Sequence, residues 1–111
     1  MDYDNNYLHI QKLQSTLDAA FSLLPIETSI ISYEIILITM RHYFMEEELS
    51  LKIIFSNKNF TEMGARFHLN RLIKNDWIIS EKSEQDLRVR IIKPTDKLIE
   101  VFDRFQKNCF Y

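Results

Sequence analysis

Glycine is almost missing from this chain: Gly64 is the only one in 111 residues. A P-loop, a dinucleotide-binding fingerprint and other glycine-rich phosphate cradles each need several glycines so that backbone can approach phosphate, and all are excluded. A single cysteine, Cys109, leaves no intramolecular disulfide and no zinc site built on two or more cysteines. His9, His42 and His68 lie far apart and form no metal-ligand spacing. No paired carboxylates or nucleophile–base pair stand at a usable spacing, so no enzyme is expected, and neither a metal nor a cofactor. There is no Pro/Gly/Ser-rich linker, low-complexity run or internal repeat. The longest aliphatic run, Ile35-Ile36-Leu37-Ile38, is far short of a membrane span, and the acidic start (Met1-Asp2-Tyr3-Asp4) is unlike a basic secretory leader. One cytoplasmic domain over residues 1–111, with no membrane partner, is the expectation.

What is present is a globular composition, 46% apolar and 27% charged, enough for one real core. The net charge of −2 points away from nucleic acid, but its distribution does not. Residues 1–51 hold two bases against eight acids, a net of −6. Residues 52–93 hold nine bases against five acids, a net of +4, and residues 94–111 balance. Chance fluctuation produces such windows; so does a surface that faces a polyanion and has an acidic far side.

The apolar spacing predicts a helix over 4–24, with Ile10, Leu13, Leu17, Ala20, Phe21 and Leu24 as a narrow stripe ended by Pro25. Ser29 is placed to cap a second helix to about Phe44, apolar nearly all round and therefore expected to be central and buried. Ser50 caps a short helix, Leu51 to Phe55. Thr61 caps another to about Lys74, closed by Asn75-Asp76, two residue types that tolerate the left-handed conformation. Trp77–Ser80 and the alternating Arg88–Ile92 read as two strands around a polar turn. A last helix runs from Asp96 to about Asn108. The fold class is mainly α with a small β-hairpin (α+β). A helix-turn-helix followed by a hairpin is a winged helix, here over 29–93, between an N-terminal helix (1–25) and a C-terminal one (95–111).

The segment Asp86-Leu87-Arg88-Val89-Arg90-Ile91-Ile92-Lys93-Pro94-Thr95-Asp96-Lys97 resembles the wing of the MarR family of winged-helix transcriptional regulators, including its small SarA-like members. Phe60-Thr61, Ala65, His68-Leu69, Arg71-Leu72 and Trp77-Ile78 are similar to that family's recognition helix and following strand, and Leu51-Lys52-Ile53-Ile54 to the short helix before it. The resemblance spans roughly Ser29 to Phe105. It departs where the family commonly has glycine near Asp76 and Leu98, and where a Ser/Thr-rich helix front is here Glu62-Met63-Gly64. It implies that Arg88 reaches the DNA minor groove, with Asp86 holding the tip of the wing (78–92) and orienting the arginine.

Read on its own, helix 61–74 packs Ala65, Leu69, Leu72 and Ile73 inward. Met63, Phe67, Asn70 and Lys74 face outward, flanked by Arg66 and Arg71. In the major groove Arg66 or Arg71 suits a guanine edge, Asn70 an adenine edge and Lys74 a phosphate. Thr61, and Gly64 as a point of close approach, complete that front, while Lys82 and Arg90 suit phosphates beside the wing. An outward basic face is also what any solvated helix shows. An exposed Phe67 fits thymine methyls, the chain's own wing or a protein partner. The large apolar residues of the outer helices, Ile10, Leu13, Leu17, Phe21, Phe102, Phe105 and Phe110, need cover, which a two-fold homodimer supplies. The leading expectation is a homodimeric, sequence-specific double-stranded DNA-binding transcriptional regulator. The alternative is a winged-helix module that binds a protein partner instead.

Overall fold

The computed structural model describes residues 3–110; Met1, Asp2 and Tyr111 lie outside the described residues. The elements are α1 (Tyr3–Leu23), α2 (Ile30–Phe44), α3 (Leu51–Phe55), α4 (Glu62–Lys74), β1 (Ile78–Lys82), β2 (Arg90–Pro94) and α5 (Asp96–Phe110). Three hydroxyls start three helices as expected. Ser29 Oγ accepts from Ser32 N, Ser50 Oγ from Ile53 N and Thr61 Oγ1 from Gly64 N. Each pairs a backbone N–H that the first turn of a helix leaves without a partner. Thr95 does more, donating to Trp77 O at 3.1 Å and accepting from Leu98 N at 3.2 Å, so it fastens the start of α5 to the root of the wing.

Asp76 closes α4 at φ 66°, the left-handed role that glycine usually fills. The strands pair antiparallel from Ile78↔Pro94 to Lys82↔Arg90. One link was not visible in the sequence. Ser50 bridges Ile91, and Ile92 N donates to Leu49 O at 2.8 Å, so the segment before α3 lies against β2 as a third, one-bridge strand. A single core joins the layers: Ile35, Ile36 and Met40 of α2, Ile54 of α3, Ala65, Leu69 and Leu72 of α4, Ile78 and Ile92 of the hairpin, and Leu98, Phe102 and Phe105 of α5.

Three expectations need correction. Helix α2 is not buried all round: Ile30, Leu37, Tyr43 and Phe44 are exposed, because α4, β2 and the Phe102–Phe105 side of α5 cover only part of its circumference. Phe102 and Phe105 do not reach the surface for a second copy. They are buried in the chain's own core, Phe105 edge-on to Tyr33 at 6.2 Å and Phe102 at 6.3 Å from Phe44. Gly64 does not free the outer surface of α4, since a Cβ there would meet Ile31 Cδ1 at 3.1 Å and Thr61 Oγ1 at 3.2 Å. Its missing side chain lets α4 approach α2.

Helix α1 joins this body along α5 and leaves a long apolar side uncovered. Its C-terminal end is anchored by Ala19, Ala20 and Leu24, and Lys12 Nζ donates to Cys109 O on α5. Tyr7, Leu8, Ile10, Leu13 and Leu17 remain exposed. The radius of gyration is 15.7 Å, against about 13 Å for a compact domain of this length.

Candidate nucleic-acid interface

The outward face of α4 and the tip of the wing are the most chemically prepared surfaces of the molecule. Ala65, Leu69 and Leu72 are buried, which turns Met63, Phe67, Asn70 and Lys74 to solvent as the periodicity requires. Met63 is 82% exposed and Phe67 57%. The flanking arginines are held by the chain itself. Arg66 Nη2 donates to Glu62 Oε1 at 2.9 Å, one turn back, and its guanidinium lies 4.6 Å over the Phe55 ring. Arg71 Nη2 pairs with Glu27 Oε2, and its guanidinium lies 5.7 Å from the Phe67 ring. Both pairs are solvent-exposed, and an exposed i,i+4 pair is worth only about 0.3–0.5 kcal/mol.

Glu27 escaped the sequence reading. It comes from the α1–α2 connection, where Glu27 (φ 47°) and Thr28 (φ 64°) are both left-handed without glycine. The same corner holds His68, whose Nδ1 is 3.1 Å from Ser32 Oγ. Burial lowers the His68 pKa, and the nearby Arg71 charge lowers it further. Lys52 and Phe55 were also missed; with Glu62, Arg88 and Arg90 they line a groove between α3, the start of α4 and the wing. Among those partners the Glu62–Arg66 spacing was legible, whereas Glu27 is brought to Arg71 only by the tertiary turn.

The wing tip is built around Asp86. Its Oδ1 accepts from Arg88 N at 3.0 Å and Arg88 Nε at 3.1 Å, and its Oδ2 accepts from Arg88 Nη2 at 3.2 Å. Val89 N donates to Asp86 O, and Ser83 N to Val89 O, each at 2.9 Å, closing the loop. The Arg88 side chain is 91% exposed, so the tip carries an oriented guanidinium on its outside. Arg90 is turned back instead, with Nε on Ser80 Oγ at 3.1 Å and Nη2 on Ser80 O at 2.8 Å. Lys82 is exposed on β1.

The Arg88 side chain, and then its backbone N–H, hold the Asp86 carboxyl below the usual carboxylate range. A depressed carboxylate pKa gives an ordering contribution that is full above the ordinary value, about 3.9, and is lost as pH falls through the folded value. A carbon-13 titration of the carboxyl groups is therefore expected to place the Asp86 midpoint below 3.9, and Arg88→Gln to return it towards that value. A midpoint at or above the ordinary value in the parent chain would remove Asp86 as the residue that orients Arg88.

No protein-family profile matches this chain, and no curated protein matches it. Solved structures do. A mutant of S. aureus MepR bound to an oligodeoxyribonucleotide superposes with a TM-score of 0.75 at 16% identity, over 96% of this chain and 75% of that one. The fold is a MarR-type winged helix. A transcriptional regulator from Thermotoga maritima shares it with a TM-score of 0.71 at 11% identity, over 95% of this chain and 71% of that one. A mutant of E. coli MarR complexed with operator DNA shares it with a TM-score of 0.63 at 11% identity, over 97% and 75% of the two chains. In that fold α4 is the second helix of the helix-turn-helix and β1–β2 is the hairpin that follows it. Among the described residues no group of three His, Cys, Asp or Glu side chains is placed to hold a metal ion, and no helix is long and apolar enough to cross a membrane.

Proposed function

We propose that this chain is a sequence-specific double-stranded DNA-binding transcriptional regulator acting as a homodimer. Helix α4 enters the major groove and the wing lies at the minor groove. The observation that carries the reading is the pairing, on one MarR-like fold, of an unobstructed α4 face with an exposed guanidinium oriented at the wing tip. A narrow minor groove has the enhanced negative potential that attracts such a group. Asn70 faces an adenine edge, Arg66 and Arg71 can exchange their weak exposed ion pairs for base edges, and Thr61, Lys74, Lys82 and Arg90 border the backbone. Ile10, Leu13 and Leu17 of α1, continued by Phe21 and joined by Phe110 of α5, pack against a second copy. Two recognition helices then lie about 34 Å apart on a pseudo-palindromic site.

Selection of bound duplexes from a random pool tests this directly and is expected to yield such a site. On the selected site log K is expected to fall linearly with log salt. Lys74→Ala and Arg88→Ala, each removing two cationic contacts per dimer, are each expected to flatten the slope by about 2. A pool from which nothing is enriched, or slopes unchanged by both substitutions, would leave the chain as a winged-helix module for a protein partner.

A further inference from the structure

The outward arc of α4 carries two large apolar side chains. At 100° per residue, Met63, Phe67, Asn70 and Lys74 fall within an arc of about 60°. The two arginines that border this arc, the groups suited to guanine, are each drawn to a carboxylate of the same chain, Glu62 for Arg66 and Glu27 for Arg71. Met63 and Phe67 are the large apolar side chains exposed on this arc, beside the exposed Asn70 and Lys74. The Phe67 ring is also fixed in place, edge-on to the His68 ring at 5.1 Å and with the Arg71 guanidinium beside it. In the major groove of unmodified DNA the one apolar group that projects from a base edge is the C5 methyl of thymine. Asn70, in the same arc, matches the N6/N7 edge of adenine.

We propose that Met63 and Phe67 are specificity-determining residues that read thymine C5 methyl groups. The proposal rests on the assignment of α4 as recognition helix. Each methyl buried against such a side chain contributes about a fourfold gain in affinity. Burial of a methyl displaces no counterion, so the gain is the same at low and high salt, unlike a phosphate contact.

The test replaces thymine by deoxyuridine, one position at a time, in the duplex selected by the parent chain; each replacement deletes a single methyl. Positions are expected in each half-site where the replacement weakens binding about fourfold at either salt concentration. That penalty is expected to vanish at one position in Met63→Ala and at another in Phe67→Ala. Both residues are exposed, so unchanged circular dichroism and melting of the variants show that folding is not the cause. A selected site indifferent to deoxyuridine, or penalties that persist in both variants, would overturn the methyl reading while leaving DNA binding intact. Phe67→Ala with parental affinity and parental deoxyuridine penalties would overturn it for Phe67 and give that ring to a protein partner. A parent chain that selects no duplex overturns the DNA-binding assignment and this proposal with it.

Discussion

Leu13→Glu is expected to give a folded monomer that has lost operator binding by at least about 100-fold. Leu13 is 71% exposed, so a glutamate there disturbs little packing within the chain. Folding and helix content should therefore match the parent, because surface substitutions away from special features stay within about 0.5 kcal/mol. The proposed dimer fares differently. Covering Leu13 with a second copy contributes roughly 1.5–3 kcal/mol per side chain, and two-fold symmetry counts it twice. A glutamate in its place brings two unpaired carboxylates into an apolar contact, at a cost of several kcal/mol. Each half-site alone binds weakly, and linking two half-sites raises affinity by about 10²–10⁴ through effective concentration. Sedimentation at micromolar protein reads the monomer and titration of a labelled duplex reads the loss. A Leu13→Glu chain that still sediments as a dimer and binds with parental affinity would refute α1 as the dimer contact.

Phe105→Ala is expected to cost about 3–5 kcal/mol of folding free energy, a large part of the total for a domain of this size. The Phe105 ring is buried between Tyr33, edge-on at 6.2 Å, and Phe102 at 5.7 Å, and its removal opens a cavity that α2 and α5 cannot both close. Phe110→Ala is the control. That ring is 72% exposed, so its loss should leave urea unfolding nearly unchanged at protein concentrations too low for association, and act on association instead. Equal destabilisation by the two substitutions would contradict the division of α5 into a core face and a free end.

These two residues also mark how far the sequence carries. Phe102, Phe105 and Phe110 share one α5 pattern, and composition says only that three phenylalanines need cover. Which of them the chain covers itself depends on Tyr33 and Phe44 arriving from α2, a contact between residues far apart in sequence. The helix starts at Ser29, Ser50 and Thr61 were legible because a side-chain hydroxyl bonding an N–H three residues on is a local interaction. The order helix-turn-helix then hairpin followed from those starts, and so did the outward face of α4.

Local patterns failed at tertiary contacts. Gly64 reads locally as a point of close approach to DNA, whereas the structure sets Ile31 of α2 across from it. Glu27 had no visible reason to matter until two left-handed residues turned it onto Arg71. At the wing, the Asp86–Arg88 contact spans two residues and was readable, while the inward turn of Arg90 onto Ser80 depends on the hairpin register.

The bridge between Ser50 and Ile91, with Ile92 N on Leu49 O, makes the helix-turn-helix and the wing a single rigid part. The molecule is in that respect a gauge of fixed width. In the proposed complex this link sets the backbone interval between the α4 contacts and the wing tip before a duplex arrives, which lowers the ordering cost of binding. A duplex that offers both features at another interval must itself bend or twist to be accepted, and the cost of that deformation falls on the DNA.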